Sequence, residues 1–172
     1  MAKPSPDPRD ACLAELQRIE EDTLYSSKRH FEAASGWQAL YLALGLPVAI
    51  ISGVAGVSAF AKHTTLAGVL ALTAAGLGAI TAFLKPSERV TTHHGFGNDY
   101  NALRNKARIA RTIQAASLND DQLREQVVAL SGDRDSLNKK APQVPRWAFE
   151  RARRGIEEGE ADYSADNEGN TP

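Results

Sequence analysis

Several kinds of chemistry are missing from this chain. Its one cysteine, Cys12, cannot form an intramolecular disulfide and has no Cys or His neighbour at metal-ligand spacing, so it reads as a reduced thiol facing the cytosol. His93 and His94 are adjacent, and on a helix they point about 100° apart. They read as a solvated or helix-facing pair and not as ligands of a shared metal. There is no G-x-S-x-G, no H-E-x-x-H and no paired-Cys motif. Gly95-Phe96-Gly97 lacks the Lys-Ser/Thr and the preceding strand of a phosphate loop. The sequence therefore assigns no catalytic residue, no metal and no cofactor, and no enzymatic activity is expected. A net charge of -1 and a pI near 6.4 give no basic footprint for nucleic acid.

The most informative absence is of charge itself. Ala33 to Ala61 is 29 residues without Asp, Glu, Lys or Arg, and Thr64 to Leu84 is another 21. All 20 basic and 21 acidic residues lie outside these two stretches, so the mean hydropathy of -0.34 averages over two unlike populations. A water-soluble core interleaves apolar and polar positions at helical or strand spacing; uninterrupted runs of this length read as membrane spans. That excludes an ordinary globular enzyme. A cleaved signal peptide is disfavoured despite Ala59-Phe60-Ala61, because the first run follows about 32 polar residues and a second run follows it at once.

The fold expected is an all-α membrane protein, a two-helix transmembrane hairpin with cytoplasmic amphipathic helices before and after it. Residues 1–9, with three prolines, form a disordered leader, and a single two-span domain covers 10–159. A first cytoplasmic helix, about 10–36, is capped by Asp10 and carries Leu13, Leu16 and Ile19 on one stripe, extended by Leu24 and Phe31. The spans cover about 39–61 and 64–84, the first kinked at Pro47. Lys62 and His63 leave so short a connection that the spans must be antiparallel. A helix over about 87–117 bears a heptad-like stripe of Phe96, Tyr100, Leu103, Ala107 and Ala110, with Asn98 and Asp99 capping or restarting it. A shorter helix over about 120–131 carries Leu123, Val127 and Leu130 and ends at Gly132-Asp133. The last, about 145–159, opens at Pro145 with Phe149, Ala152 and Ile156 on one face. Residues 160–172 form a disordered acidic tail.

Lys28, Arg29, Lys85 and Arg89 flank the outer ends of the hairpin against Lys62 alone at the turn, which places both termini in the cytoplasm. Trp37 and Tyr41, four apart, are the expected interface anchors. Small residues are dense in both spans: Gly45, Ala49 and Gly53, then Ser52 and Gly56, and in the second Ala67, Ala71, Ala75 and Ala79. Apolar helices gain nothing hydrophobic by pairing in lipid, so small faces that let backbones approach are their main means of association. Such ridges either close the hairpin on itself or also meet neighbouring copies. Candidate helix-packing or pore-lining residues are Ser52, Gly53, Val54, Gly56, Val57, Ala71, Thr73, Ala75 and Ala79. The spans hold no carboxylate, which argues against an ion-coupled carrier and leaves open a pore gated by an apolar constriction. On the last helix Trp147 and Phe149, beside a mixed run of charge, are candidate anchors for a docking partner.

The order of parts resembles the SLATT family, two-transmembrane proteins associated with SMODS nucleotidyltransferases and SLOG nucleotide-sensing domains. The likeness rests on Lys28-Arg29-His30-Phe31-Glu32-Ala33-Ala34, Gly45-Leu46-Pro47, Ile51-Ser52-Gly53-Val54-Ala55-Gly56, Phe83-Leu84-Lys85-Pro86-Ser87-Glu88-Arg89 and Tyr100-Asn101-Ala102-Leu103-Arg104, and covers about residues 10–159. It implies a membrane effector of a bacterial nucleotide-signalled conflict or anti-phage system, a homo-oligomer that opens a pore or disrupts the inner membrane. A nucleotide synthetase or nucleotide-sensing protein is the implied partner beside the lipid bilayer. The alternative is a non-conducting anchor or scaffold for a cytoplasmic enzyme.

Overall fold

The computed structural model describes residues 7–163, and these are helical with no strand among them. Helix α1 spans Pro8–Phe60, α2 Thr64–Leu84, α3 Pro86–Thr112, α4 Asp120–Lys140 and α5 Arg146–Glu157, with a 3₁₀ turn at Gln114–Ala116. Contacts divide the chain into two compact units. A helical unit draws on the described parts of Met1–Glu32 and His93–Pro172, and a hairpin unit is Ala33–Thr92. Helices α1 and α3 contribute residues to both units.

Four boundaries differ from the sequence reading. The separate helices over 10–36 and 39–61 are one helix, α1, which runs unbroken through Pro47. It starts at Pro8, where the Asp7 carboxylate accepts from the Arg9 backbone N–H at 2.9 Å, so Asp10 lies inside the first turn and is not the cap. Asn98 and Asp99 lie within continuous α3 and cap nothing. Gly132-Asp133 does not end α4, which continues to Lys140. A helical glycine costs only about 1 kcal/mol against alanine, and Leu137 beyond it packs on the core. The start of α4 at Asp120 agrees with the sequence reading and is fixed by a capping box, with Asn119 and Gln122 each accepting from the other's backbone N–H.

The helical unit is built on the stripes that the sequence displays. Leu16 and Ile19 of α1, Leu103, Ala107 and Ala110 of α3, Ala115, and Leu123, Val127 and Leu130 of α4 make one buried cluster, with Cys12 and Leu13 against it. Arg9, assigned to the leader, is a structural clasp: its guanidinium donates to the carbonyls of Ala115 and Leu118 and pairs with Asp120. On α5 the buried residues are Ala148, Ala152 and Gly155, so only Ala152 of the face expected from sequence is inside; Phe149 is half-exposed. Small residues bring this helix close to its neighbours. Residues 160–163, read as tail, are fastened, since Glu160 meets Lys28 at 2.8 Å and the Tyr163 ring lies under Arg104 and Arg108. The remaining leader and tail positions, 1–6 and 164–172, lie outside the described residues.

In the hairpin unit α1 and α2 are both long and apolar enough to cross a membrane. Their outward side chains are exposed throughout, with Phe60 at 92%, Phe83 at 87% and Leu72 at 77%. A soluble protein buries such residues; these are compatible with lipid around them. The turn between the helices is a Schellman motif, in which Lys62 N–H donates to the Ala59 carbonyl and His63 N–H to that of Ser58, at 3.1 and 2.9 Å. Lys62 holds the left-handed position, φ 62°, where glycine is usual.

Candidate functional site

Helical geometry decides which residues of the hairpin face inward. On α2 the sheltered positions include Ala67, Leu70, Ala74, Leu77, Thr81 and Leu84, alternating by three and four residues, and on α1 Leu44, Pro47, Ile51, Ala55 and Ser58 recur similarly. A strict series of four drifts about 40° per step around a 3.6-residue helix. Ala67, Ala71, Ala75 and Ala79 therefore start beside α1 and turn outward, and the last three are exposed. A Cβ added at Gly45, Gly53, Gly56, Gly68, Gly76 or Gly78 would meet nothing within 4 Å. The contacts of this chain with itself do not use the smallness of these glycines.

The two helices leave a groove of about 650 Å³, floored by Ala55 and Ala74 and walled by Ser52, Gly56 and Ala59 on α1 and Ala67, Gly68, Ala71 and Ala75 on α2. Of the candidate packing or pore-lining residues, the structure brings Ser52, Gly56, Ala71 and Ala75 together here. Gly53, Val54, Val57, Thr73 and Ala79 are exposed outside it. The Thr73 hydroxyl donates to the Val69 carbonyl at 2.9 Å, the return that lets a lone hydroxyl persist among apolar side chains. Of the two expected interface anchors, Tyr41 is exposed and Trp37 has a partner: the Arg89 guanidinium lies 4.6 Å from its ring centre while Arg89 Nε donates to the Leu84 carbonyl.

The helical unit holds a polar interior that sequence reasoning missed. Beyond Ile19 the buried stripe of α1 continues through Thr23, Ser27 and His30, all almost fully enclosed. Thr23 returns its hydroxyl to the Ile19 carbonyl, and Ser27 donates to the Gly97 carbonyl at 2.9 Å. Nδ1 of His30 is 3.0 Å from Nδ1 of His93, and the His30 ring stacks on Phe96 and Tyr100. Burial, then the neighbouring His93 and Arg29, holds the His30 pKa down at about 4, so the imidazole is neutral. Of the adjacent pair read as alike, His93 is buried and His94 exposed, where it meets the Phe31 ring edge-on.

Beside this interior lie two cavities, about 570 and 390 Å³, that share Arg29, Asn138 and Phe149 as lining residues. Tyr25, Ser26, Asp22, Arg134, Arg153 and Glu157 complete the larger, and Tyr100 with residues 141–144 the smaller. The Tyr100 hydroxyl donates to Asn138 Oδ1 at 2.8 Å; burial raises its pKa and the Arg29 guanidinium opposes that rise. Phe149, one of the two candidate docking anchors, is thus a cavity wall as well as half-exposed, while Trp147, equally half-exposed, lines neither cavity. No local signal in the sequence marks this site, because its residues come from α1, α3, α4 and α5.

Comparison of the chain with family profiles, with curated proteins and with solved structures finds no match.

Proposed function

We propose that this chain is a membrane effector of the SLATT kind, resident in a bacterial inner membrane with both termini in the cytoplasm, whose hairpins associate into an oligomer that opens a pore or disrupts the bilayer. A nucleotide synthetase or nucleotide-sensing protein supplies the trigger, acting on the helical unit. The observation that carries this reading is the small-residue groove. Its walls include Ser52, Gly56, Ala71 and Ala75, and the glycine Cβ positions of both helices are open. In lipid, where apolar area drives no pairing, an open face of this kind is what a second hairpin requires for close backbone approach. The resemblance in residues 28–34, 45–47, 51–56, 83–89 and 100–104 supports the effector role, and the basic residues at the outer ends support the orientation.

The test is to wet the conduit. Val54, Val57 and Thr73, exposed on the spans, are replaced in turn by Asp. An apolar gate stays shut by dewetting, so at least one variant should depolarise cells or arrest growth at normal expression while remaining inserted. A scaffold without a conduit offers the carboxylate no water path, at a cost of a few kcal/mol. Stable, inserted and electrically silent variants at all three positions would establish the scaffold in place of the pore.

A further inference from the structure

The interior of the helical unit carries an unmatched positive charge at a cavity. In the larger cavity Arg134 is taken up by Asp22 at 3.2 Å, and Arg153 by Glu157 at 2.7 Å. Arg29 forms no ion pair among the described residues; its guanidinium is within hydrogen-bonding reach of the Tyr100 hydroxyl, while its Nε is buried without a partner among them. A buried guanidinium edge left without an acceptor is costly, and such groups are ordinarily satisfied by a partner or a ligand. The polar groups beside it supply further donors. With Oδ1 of Asn138 committed to the Tyr100 hydroxyl, its amide nitrogen remains to donate, and Ser26 contributes a hydroxyl. Tyr25 and Phe149 add two aromatic walls. A cavity of about 570 Å³ is the size at which small ligands bind, and its lining combines three guanidinium groups, two of them paired with the carboxylates of Asp22 and Glu157, with two aromatic rings.

We propose that this cavity binds a small phosphate-bearing ligand with a planar ring, of nucleoside monophosphate size, with the phosphate on Arg29 and Asn138 and the ring against Tyr25 and Phe149. A guanidinium suits a phosphate because its fork of donors matches two oxygens at once. The net charge of the lining, one positive group beyond its internal pairs, suits a singly or doubly charged anion and not a long polyphosphate. The ring requirement separates such a ligand from a lipid headgroup or free phosphate, which offer the anion alone. This assignment is independent of whether the hairpin conducts.

The experiment uses the full-length chain in a maltoside detergent, which contributes no phosphate, with AMP, GMP, CMP, UMP, adenosine and inorganic phosphate as probes. The readouts are calorimetric titration and the shift in unfolding temperature. At least one nucleoside monophosphate should bind at or below about 1 mM, with adenosine and inorganic phosphate each at least about tenfold weaker. Arg29→Gln should weaken binding at least about tenfold, whereas Arg146→Gln, an exposed arginine outside the cavity, should not. Phe149→Glu places a carboxylate on the wall at a half-exposed position, and it tests the site even where Arg29→Gln fails to fold. Loss of binding in Phe149→Glu with the unfolding transition unchanged supports the site. No binding by any of the four monophosphates, or binding unaltered by Phe149→Glu, overturns it. Equal affinity for inorganic phosphate overturns the ring half of the assignment.

Discussion

Nδ1 of His30 faces Nδ1 of His93 at 3.0 Å within a buried aromatic stack, an arrangement that requires one ring to donate and the other to accept. The His30 imidazole serves this contact in the neutral form, and its protonation would place a buried charge beside His93 and Arg29. The pair therefore joins α1 to α3 under a condition on pH.

The stability of the helical unit should fall as pH drops from about 7 to about 4. In the unfolded chain a histidine binds its proton near pH 6.5, whereas folded His30 resists until about 4. Over that window the unfolded state binds more protons and gains. Each pH unit is worth about 1.4 kcal/mol, so the loss reaches roughly 3 kcal/mol at pH 4 and levels off below it. Denaturant titrations of wild type and His30→Phe at several pH values check this: the variant should lose most of the slope. A slope unchanged in His30→Phe would assign it to other groups.

Gly95 and Gly97, two residues apart on α3, should respond oppositely to alanine. A Cβ at Gly97 would lie 2.7 Å from a Phe31 ring carbon, so Gly97→Ala forces α1 and α3 apart or turns the ring, at about 1 to 3 kcal/mol. At Gly95 nothing lies within 4 Å, and Gly95→Ala should stabilise by up to about 1 kcal/mol through helix propensity. Thermal unfolding of the two variants beside wild type reads the difference in sign.

Ala75 lines the hairpin groove and is exposed in the single chain. If a second hairpin uses this face, Ala75→Leu should hold the backbones apart and cost the association about 1 to 3 kcal/mol. Detergent-solubilised variant should then migrate as a smaller species on native gels. An oligomer of unchanged size would exclude this face as the contact.

Orientation is checked with introduced cysteines. Thr64 and Ser87 are both exposed, one at the start of α2 and the other just past its end, whereas native Cys12 packs against the core and is a poor reporter. In intact cells a membrane-impermeant thiol reagent should label Thr64→Cys and spare Ser87→Cys. The reverse pattern would invert the proposed topology.

Local pattern alone establishes the two apolar helices, their antiparallel connection and the apolar half of the helical unit's core. A run without charge is visible residue by residue, and Tyr100, Leu103, Ala107 and Ala110 recur at the spacing that puts them on one helix face. The capping box at Asn119 is equally local, carried by the spacing of Asn119 and Gln122. Which polar residues are buried, and which small residues are left uncovered, depends instead on how distant helices pack. Thr23, Ser27 and His30 look like a solvated face until Gly97 and His93, some 63 to 70 positions along the chain, supply partners for the last two. Arg29 reads as a flanking charge, and only the meeting of α1, α3, α4 and α5 makes it a cavity wall. The alanine ridge of α2 is continuous in sequence, yet the drift of a four-residue period around a 3.6-residue helix carries it from the partner helix to the open side. Composition specifies which groups need partners; the packing of distant helices specifies which groups receive them.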